Sequence, residues 1–245
     1  MDNRKVALIT GGGTGIGRAV ALSLAAQGID IVVNYSRSAK EADETAAAVR
    51  AAGAECLAEQ ADVADDAQVR RMVDNAVKRF GRLDYLVNSA GTTHFVDAGD
   101  LENMAGQYWD NIMSVNVKGV FFVCRACAPH LKKTGGAIVN ITSIAGITGR
   151  GSSIAYAASK AAAISLTKSL AQVFAPEIRV NSVAPGIVLT RWVAGREDHV
   201  ARLGAGTPLG RVCGPEDVAA VALPLLLTAG MVTGQTVVVD GGAIL

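Results

Sequence analysis

Short runs of nearly uninterrupted apolar residues alternate along the chain with longer stretches whose apolar positions recur every three or four residues. The runs are KVALIT (5–10), DIVVNY (30–35), AECLAEQ (54–60), LDYLVN (83–88), GAIVNIT (136–142), EIRVNSVA (177–184) and TVVVD (236–240). Between them, stretches such as GRAVALSLAAQG and DDAQVRRMVDNAVKRFG carry the spacing of amphipathic helices. Strands that are apolar on both faces belong in a parallel sheet covered on both sides. The alternation therefore predicts a doubly wound α/β fold: a mainly parallel, seven-stranded sheet with helices on both faces and right-handed crossovers. Gly28, Gly53 and Gly81 each close a helical run just before a strand, as C-terminal capping glycines do.

No Pro/Gly/Ser-rich linker interrupts the pattern, so residues 1–245 are expected to form one domain. The stretch 188–212 follows a strand, holds four glycines and has no clear period; it is expected to be irregular and to serve as a substrate lid. Charge changes the picture by subtraction. With 23 Lys+Arg against 22 Asp+Glu, no basic field exists to gather nucleic acid or an anionic membrane. The opening MDNRKVALIT has an apolar run that stops at Thr10, too short for a cleavable signal, and a cytoplasmic location is expected. Of the four cysteines only Cys124 and Cys127 form a C-x-x-C, and they fall inside a helical pattern without a second pair; they read as small core residues, and no metal site is expected.

The first apolar run leads into TGGGTGIG (10–17) and then a helix. Glycines there let the chain turn sharply, let backbone approach a pyrophosphate and let helix pack on strand, while the helix start offers free N–H groups. Gly11, Gly13, Thr14, Gly15, Ile16 and Gly17 are thus the candidate phosphate cradle, and the fold is of Rossmann type. At the end of the second run, where an NAD site places a carboxylate, stand Tyr35, Ser36 and Arg37. A guanidinium suits a 2′-phosphate, so NADP(H) is favoured over NAD(H); the alternative is that Arg37 is an ordinary solvated charge.

A second constellation is YAASK (156–160). On a helix four residues advance the chain by about 400° and ~6 Å, which puts Tyr156 and Lys160 on one face. Alone, this pair could be a surface tyrosine lying over a lysine stem. In order along the chain, however, come TGGGTGIG, Asp62 in EQADV, NSAG (88–91), Asn116 in SVNVKG, Ser143 in NITSIAG, YAASK and NSVAPGIVLT (181–190). With these motifs the sequence resembles the short-chain dehydrogenase/reductase family over its full length.

The resemblance implies a catalytic tetrad of Asn116, Ser143, Tyr156 and Lys160. It implies that Asp62 and Val63 meet the adenine, that Asn88, Ala90 and Gly91 line the adenosine side, and that Pro185, Gly186, Val188 and Thr190 hold the nicotinamide end, with Tyr156 and Lys160 also touching the cofactor. The chemistry is consistent with this. Tyrosine titrates near ~10, and a lysine cation one turn away and the positive charge of the oxidised nicotinamide both favour phenolate, the direction that brings the phenol toward neutrality. Ser143 would donate to the substrate oxygen, and the Asn116 amide would hold a water that relays protons from Lys160.

Within the family the likeness is greatest to 3-oxoacyl-(acyl-carrier-protein) reductases of fatty acid biosynthesis, through VVNYSRSAKEAD, PLGRVCGPEDVA (208–219) and GQTVVVDGG (234–242). It implies a small carbonyl or alcohol substrate, carrier-linked in that case, with Lys132 and Lys133 placed to meet an acidic carrier. Pro176 and Glu177 in QVFAPEIRV, a segment one residue shorter where those enzymes usually have an arginine, and NSAG in place of NNAG depart from that group. The alternatives are a dehydrogenase of another secondary alcohol (polyol, sugar or aromatic metabolite) and a nucleotide-sensing protein without turnover. The resemblance also implies a homotetramer, with the small residues 157, 158, 161, 162 and 163 letting helices approach across an interface.

Overall fold

The apolar runs become strands, and their burial follows from being covered on both faces. The computed structural model describes residues 4–195 and 197–245. The first half of the chain runs β1 (Val6–Thr10), α1 (Gly15–Ala25), β2 (Asp30–Tyr35), α2 (Ala39–Ala51), β3 (Cys56–Gln60), α3 (Asp66–Phe80) and β4 (Tyr85–Asn88). Next come α4 (Gly106–Met113), a π-helical turn (Ser114–Gly119), α5 (Val120–Thr134), β5 (Ala137–Ile141), α6 (Ala145–Thr148), α7 (Ile154–Phe174) and β6 (Arg179–Pro185). A 3-10 turn (Arg191–Val193), α8 (Glu197–Ala205), α9 (Pro215–Leu227) and β7 (Thr236–Val239) complete it.

The seven strands form one sheet in the order β3-β2-β1-β4-β5-β6-β7, and every pairing is parallel. Alternate residues of β1 serve two cores. Ala7 and Ile9 meet α1 and α9, whereas Val6 and Leu8 face α3, α5 and α7. The chain winds one way through β2 and β3, then returns past β1 to β4. This reversal opens a crevice at the carboxyl ends of β1 and β4, the place where doubly wound folds bind ligands.

The capping glycines stand as the pattern implies: Gly28, Gly53 and Gly81 all have positive φ, and Gly81 N–H donates to the Val77 carbonyl. Several strands begin later than their apolar runs. Leu83 and Ile178 are fully buried yet precede the ladder, because side-chain burial starts before the backbone pairs. Asp84 in that gap accepts from the Val6 N–H at 2.9 Å and pairs with Arg82 at 2.7 Å.

Two expectations change. The stretch 188–212 is not irregular: it holds the 3-10 turn and α8, with Val200 buried, so a short amphipathic helix lay hidden among its glycines. The small residues of α7 are divided in use. Ala157 and Ala163 are buried within this chain, while Ala158 and Ala161 are exposed. The continuous helical stretch 106–134 is apolar and long enough to cross a membrane by those criteria, but Val123, Cys124, Cys127 and Leu131 within it belong to the core.

A Cβ built on Gly17 would lie 2.4 Å from the Gly11 carbonyl oxygen, so α1 meets the turn after β1 at a distance only glycine allows. Gly17→Ala is therefore expected to lower unfolding free energy by about 1–3 kcal/mol, the usual range for overpacking. Urea unfolding checks it; an unchanged midpoint would contradict the packing described.

Candidate active site

The turn after β1 builds one wall of the crevice. Gly11 and Gly15 adopt positive φ, and a Cβ on Gly11 would sit 3.0 Å from Ala90. Thr10 at the strand's end accepts from the Ser89 and Ala90 N–H groups, both at 3.1 Å, tying this turn to the loop after β4. The resulting cleft has a volume of about 1670 Å³. Its lining includes Gly11, Gly13, Thr14, Gly15 and Ile16 from the turn, Tyr35, Ser36 and Arg37 from the end of β2, and Asp62 and Val63 from the end of β3. Ala90 and Gly91, then Pro185, Gly186, Val188 and Thr190, and finally Ser143, Tyr156 and Lys160 complete the expected set.

Three residues expected to touch ligand stand behind that surface instead. Gly17 is buried, and its role is the close packing described above. Asn88 is buried under the floor, where its amide donates to Asn140 at 2.9 Å and to the Cys124 sulfur at 3.2 Å. Its position on β4 points it between strands and helix, not into the crevice. Asn116, also buried, accepts from the Thr92 N–H at 2.9 Å and donates to the Thr92 carbonyl and Ser159 hydroxyl, both at 3.0 Å. Its amide is engaged by these partners beside the loop after β4.

The remaining three expected catalytic groups converge. Ser153 caps α7 by accepting from the Tyr156 N–H at 3.2 Å, which fixes where the helix starts. The fourth residue on, Lys160, is buried; it donates to the Ile141 carbonyl at the end of β5, 2.9 Å away, and its ammonium lies 5.6 Å from the Tyr156 ring centre. Ser143, just beyond β5, accepts from the Ala145 N–H at 3.1 Å and donates to the Pro185 carbonyl at 3.5 Å, and its hydroxyl lies near enough to the Tyr156 phenol to favour the phenolate. A Cβ on Gly146 would fall 2.5 Å from the Lys160 backbone, so α6 presses on α7 and sets the distance between serine and tyrosine.

Burial dominates the electrostatics. It pushes the Tyr156 phenol up to about 12, with the nearby Ser143 hydroxyl working in the opposite direction. It pushes Lys160 down from 10.5 to about 8. Of the two charges expected to favour phenolate, one belongs to the oxidised nicotinamide; among the influences of the protein alone, desolvation of the phenolate is the largest. Burial likewise raises the Cys124 thiol to about 12, away from the thiolate that metal ligation requires.

Other groups were not visible in the sequence. Arg191 and Trp192 line the cleft from the segment after β6, and the Trp192 ring lies 6.0 Å from that of Tyr156. Gln60 shapes the β2 end by donating to the Ser36 carbonyl at 2.9 Å. Conversely, Lys132 and Lys133 end α5, which leads into the start of β5, at the amino ends of the strands and so opposite the cleft. Lys132 there stands 3.9 Å from Glu177. They do not flank the cleft mouth of their own chain.

The cleft suits a nicotinamide dinucleotide. The Gly11–Gly15–Gly17 turn leaves a cradle that side chains would fill. At the other end, a Cβ on Gly91 would lie 3.5 Å from Asn116 Oδ1 and 3.8 Å from Lys160 Nζ, so glycine keeps the floor open beside the buried lysine.

Comparison with known proteins agrees with this geometry. A family model described as Enoyl-(Acyl carrier protein) reductase matches residues 11–243. The chain is 43% identical over 245 residues to ketoacyl reductase 2 of the granaticin polyketide synthase of Streptomyces violaceoruber, covering 97% of this chain and 95% of that one. It is 38% identical over 246 residues to a 3-oxoacyl-(acyl-carrier-protein) reductase of Staphylococcus aureus, covering 99% of each. A crystal structure of a short-chain dehydrogenase/reductase from Burkholderia xenovorans superposes with a TM-score of 0.94 at 36% identity, covering 100% of this chain and 99% of that one.

The depressed Lys160 makes stability depend on pH in a definite direction. Between about 8 and 10.5 the unfolded chain binds more protons at this position, so the folded state gains stability as pH rises through that window. Over that window the wild type should gain roughly 3 kcal/mol relative to Lys160→Met, from ~1.36 kcal/mol per pH unit. Denaturant unfolding at both ends of the window checks this. A difference that does not change with pH would show that the lysine is not desolvated.

Proposed function

Because the chain belongs to the short-chain dehydrogenase/reductase family and is a nicotinamide-dependent oxidoreductase, we propose that it is an NADPH-dependent reductase of 3-oxoacyl thioesters. The observation that carries the reading is the convergence of Ser143, Tyr156 and the buried Lys160 in one cleft with the glycine turn. When bound, the reduced nicotinamide supplies a hydride to the carbonyl carbon.

The chain's residues handle the oxygen. Ser143 donates a hydrogen bond to it, stabilising developing negative charge, and Tyr156 delivers the phenolic proton. A phenol that titrates well above neutrality is held in the protonated form reduction needs. Lys160, which titrates near 8, replaces that proton and holds the ribose side of the cofactor. Asn116 positions: through Ser159, whose hydroxyl donates to the Tyr156 carbonyl at 2.7 Å, it registers α7 against the Thr92 loop. Asp62 and Val63 serve the adenine, and Ala90, Gly91, Pro185, Gly186, Val188 and Thr190 the rest of the dinucleotide. Arg37, exposed where an NAD site has its carboxylate, supports the NADPH preference.

The cleft lining also includes Phe95, Val96, Ile144, Trp192, Val193 and Leu203, alongside polar residues such as Asn111, Thr148, Arg150 and Ser152. The apolar part of that lining suits an acyl chain. The names of the relatives support the same substrate. Trp192 beside Tyr156 favours an aromatic ketone as the second reading. The reading extends to a cytoplasmic homotetramer working on carrier-linked or free thioesters, with 188–212 closing over the substrate.

NADPH absorbance with a panel of acetoacetyl thioester, aromatic ketone and polyol substrates tests the substrate class; thioester reduction should dominate, and polyol oxidation alone would overturn it. Tyr156→Phe should lower turnover by ~10²–10⁴-fold, the range for a general acid, while the NADPH dissociation constant moves less than about twofold. Substantial retained turnover would overturn the role of the phenol. Hydrogen exchange in 188–212 should slow when dinucleotide and thioester are added; unchanged exchange would exclude a lid.

A further inference from the structure

Arg191 is the residue of the post-β6 segment that reaches farthest across the cleft. Its guanidinium donates to the Ser38 hydroxyl at 2.9 Å and stands 3.5 Å from the Glu41 carboxylate, joining positions about 150 apart in sequence. The stem starts beside the glycine turn: Thr190 Cγ2 lies 3.1 Å from where a Gly15 Cβ would be. The head ends at the start of α2, one residue beyond Arg37. Both guanidinium groups line the one cleft and both are exposed.

We infer that Arg191 is the second cation of the 2′-phosphate subsite, reading the cofactor's extra phosphate from the lid side while Arg37 reads it from the sheet side. The inference rests on the proposed NADPH preference. A guanidinium donates to two phosphate oxygens at once, and Ser38 offers a hydroxyl at the same place. Glu41 holds the guanidinium near Ser38 and gives it up, in part, to a more highly charged dianion. The next residue, Trp192, lies against the Tyr156 ring, so a phosphate held by Arg191 also seats the first turn of the lid beside the proposed acid. Cofactor choice and lid placement therefore meet in two adjacent residues.

The test is titration calorimetry of the full chain with two probes that carry no nicotinamide: adenosine 2′,5′-bisphosphate and adenosine 5′-monophosphate. Wild type should prefer the bisphosphate. Arg191→Ala should weaken bisphosphate binding by roughly ten- to a hundredfold, as expected for a charged hydrogen-bonded pair, and monophosphate binding less than about twofold. Arg191→Lys should restore part of the loss. Glu41→Gln, which removes the competing carboxylate, should tighten bisphosphate binding and leave the monophosphate unchanged. Circular dichroism melting identifies any variant that fails to fold, and Glu41→Gln then carries the test. Equal weakening of both probes by Arg191→Ala, or no effect on either, would overturn the inference. If Arg37→Ala alone abolishes the bisphosphate preference, the NADPH reading stands without Arg191. If wild type binds both probes alike, the NADPH reading itself fails.

Discussion

Holding the Lys160 ammonium out of water is the constraint around which the site is arranged. Burial lowers its titration to about 8, and one backbone carbonyl, at the end of β5, receives it. The carbonyl is available because β5 ends at Ile141 and the chain turns into Ser143, so the end of a strand supplies both the lysine's partner and the tyrosine's. Glycines keep the surroundings close: Gly146 brings α6 onto the backbone of Lys160, and Gly91 leaves room above its ammonium. Substituting any one of these alters the geometry of the others.

The sheet supplies the second half of the arrangement. Its order reverses between β1 and β4, so the glycine turn, the ends of β2 and β3, and the loops after β4, β5 and β6 all open into one crevice. Catalytic and cofactor positions more than a hundred residues apart thereby share one wall-to-wall space. The segment after β6 crosses it, with Thr190 over the glycine turn, Arg191 at the start of α2 and Trp192 beside Tyr156. A single short stretch touches both ends of the cleft.

Much of this was legible in the sequence because parallel strands buried on both faces leave continuous apolar runs, and turns that need positive φ leave glycine. The runs overshot the ladders where Leu83 and Ile178 enter the core before pairing begins. The side of an element that a polar residue takes was less legible. Asn88 and Asn116 sit in motifs that mark the site, yet one hydrogen-bonds beneath the floor and the other braces Thr92 and Ser159. The helix within 188–212 was masked by glycines, and the reach of Arg191 depends on a fold-wide contact no local pattern encodes. The desolvation of the tyrosine was not legible either, because spacing reveals a neighbouring cation but not how far the fold removes the phenol from water.

That balance is the centre of the account. Burial favours the protonated Tyr156, and on the proposed reading the positive charge of a bound oxidised nicotinamide would bring the phenol toward titration near neutrality. Carbon NMR of the labelled tyrosine ring, assigned with Tyr156→Phe, measures it directly. Without nucleotide the Tyr156 resonance should remain that of the phenol to a pH approaching about 12, and with oxidised dinucleotide it should titrate below the ordinary ~10. A phenol that already titrates near neutrality without nucleotide would contradict the account.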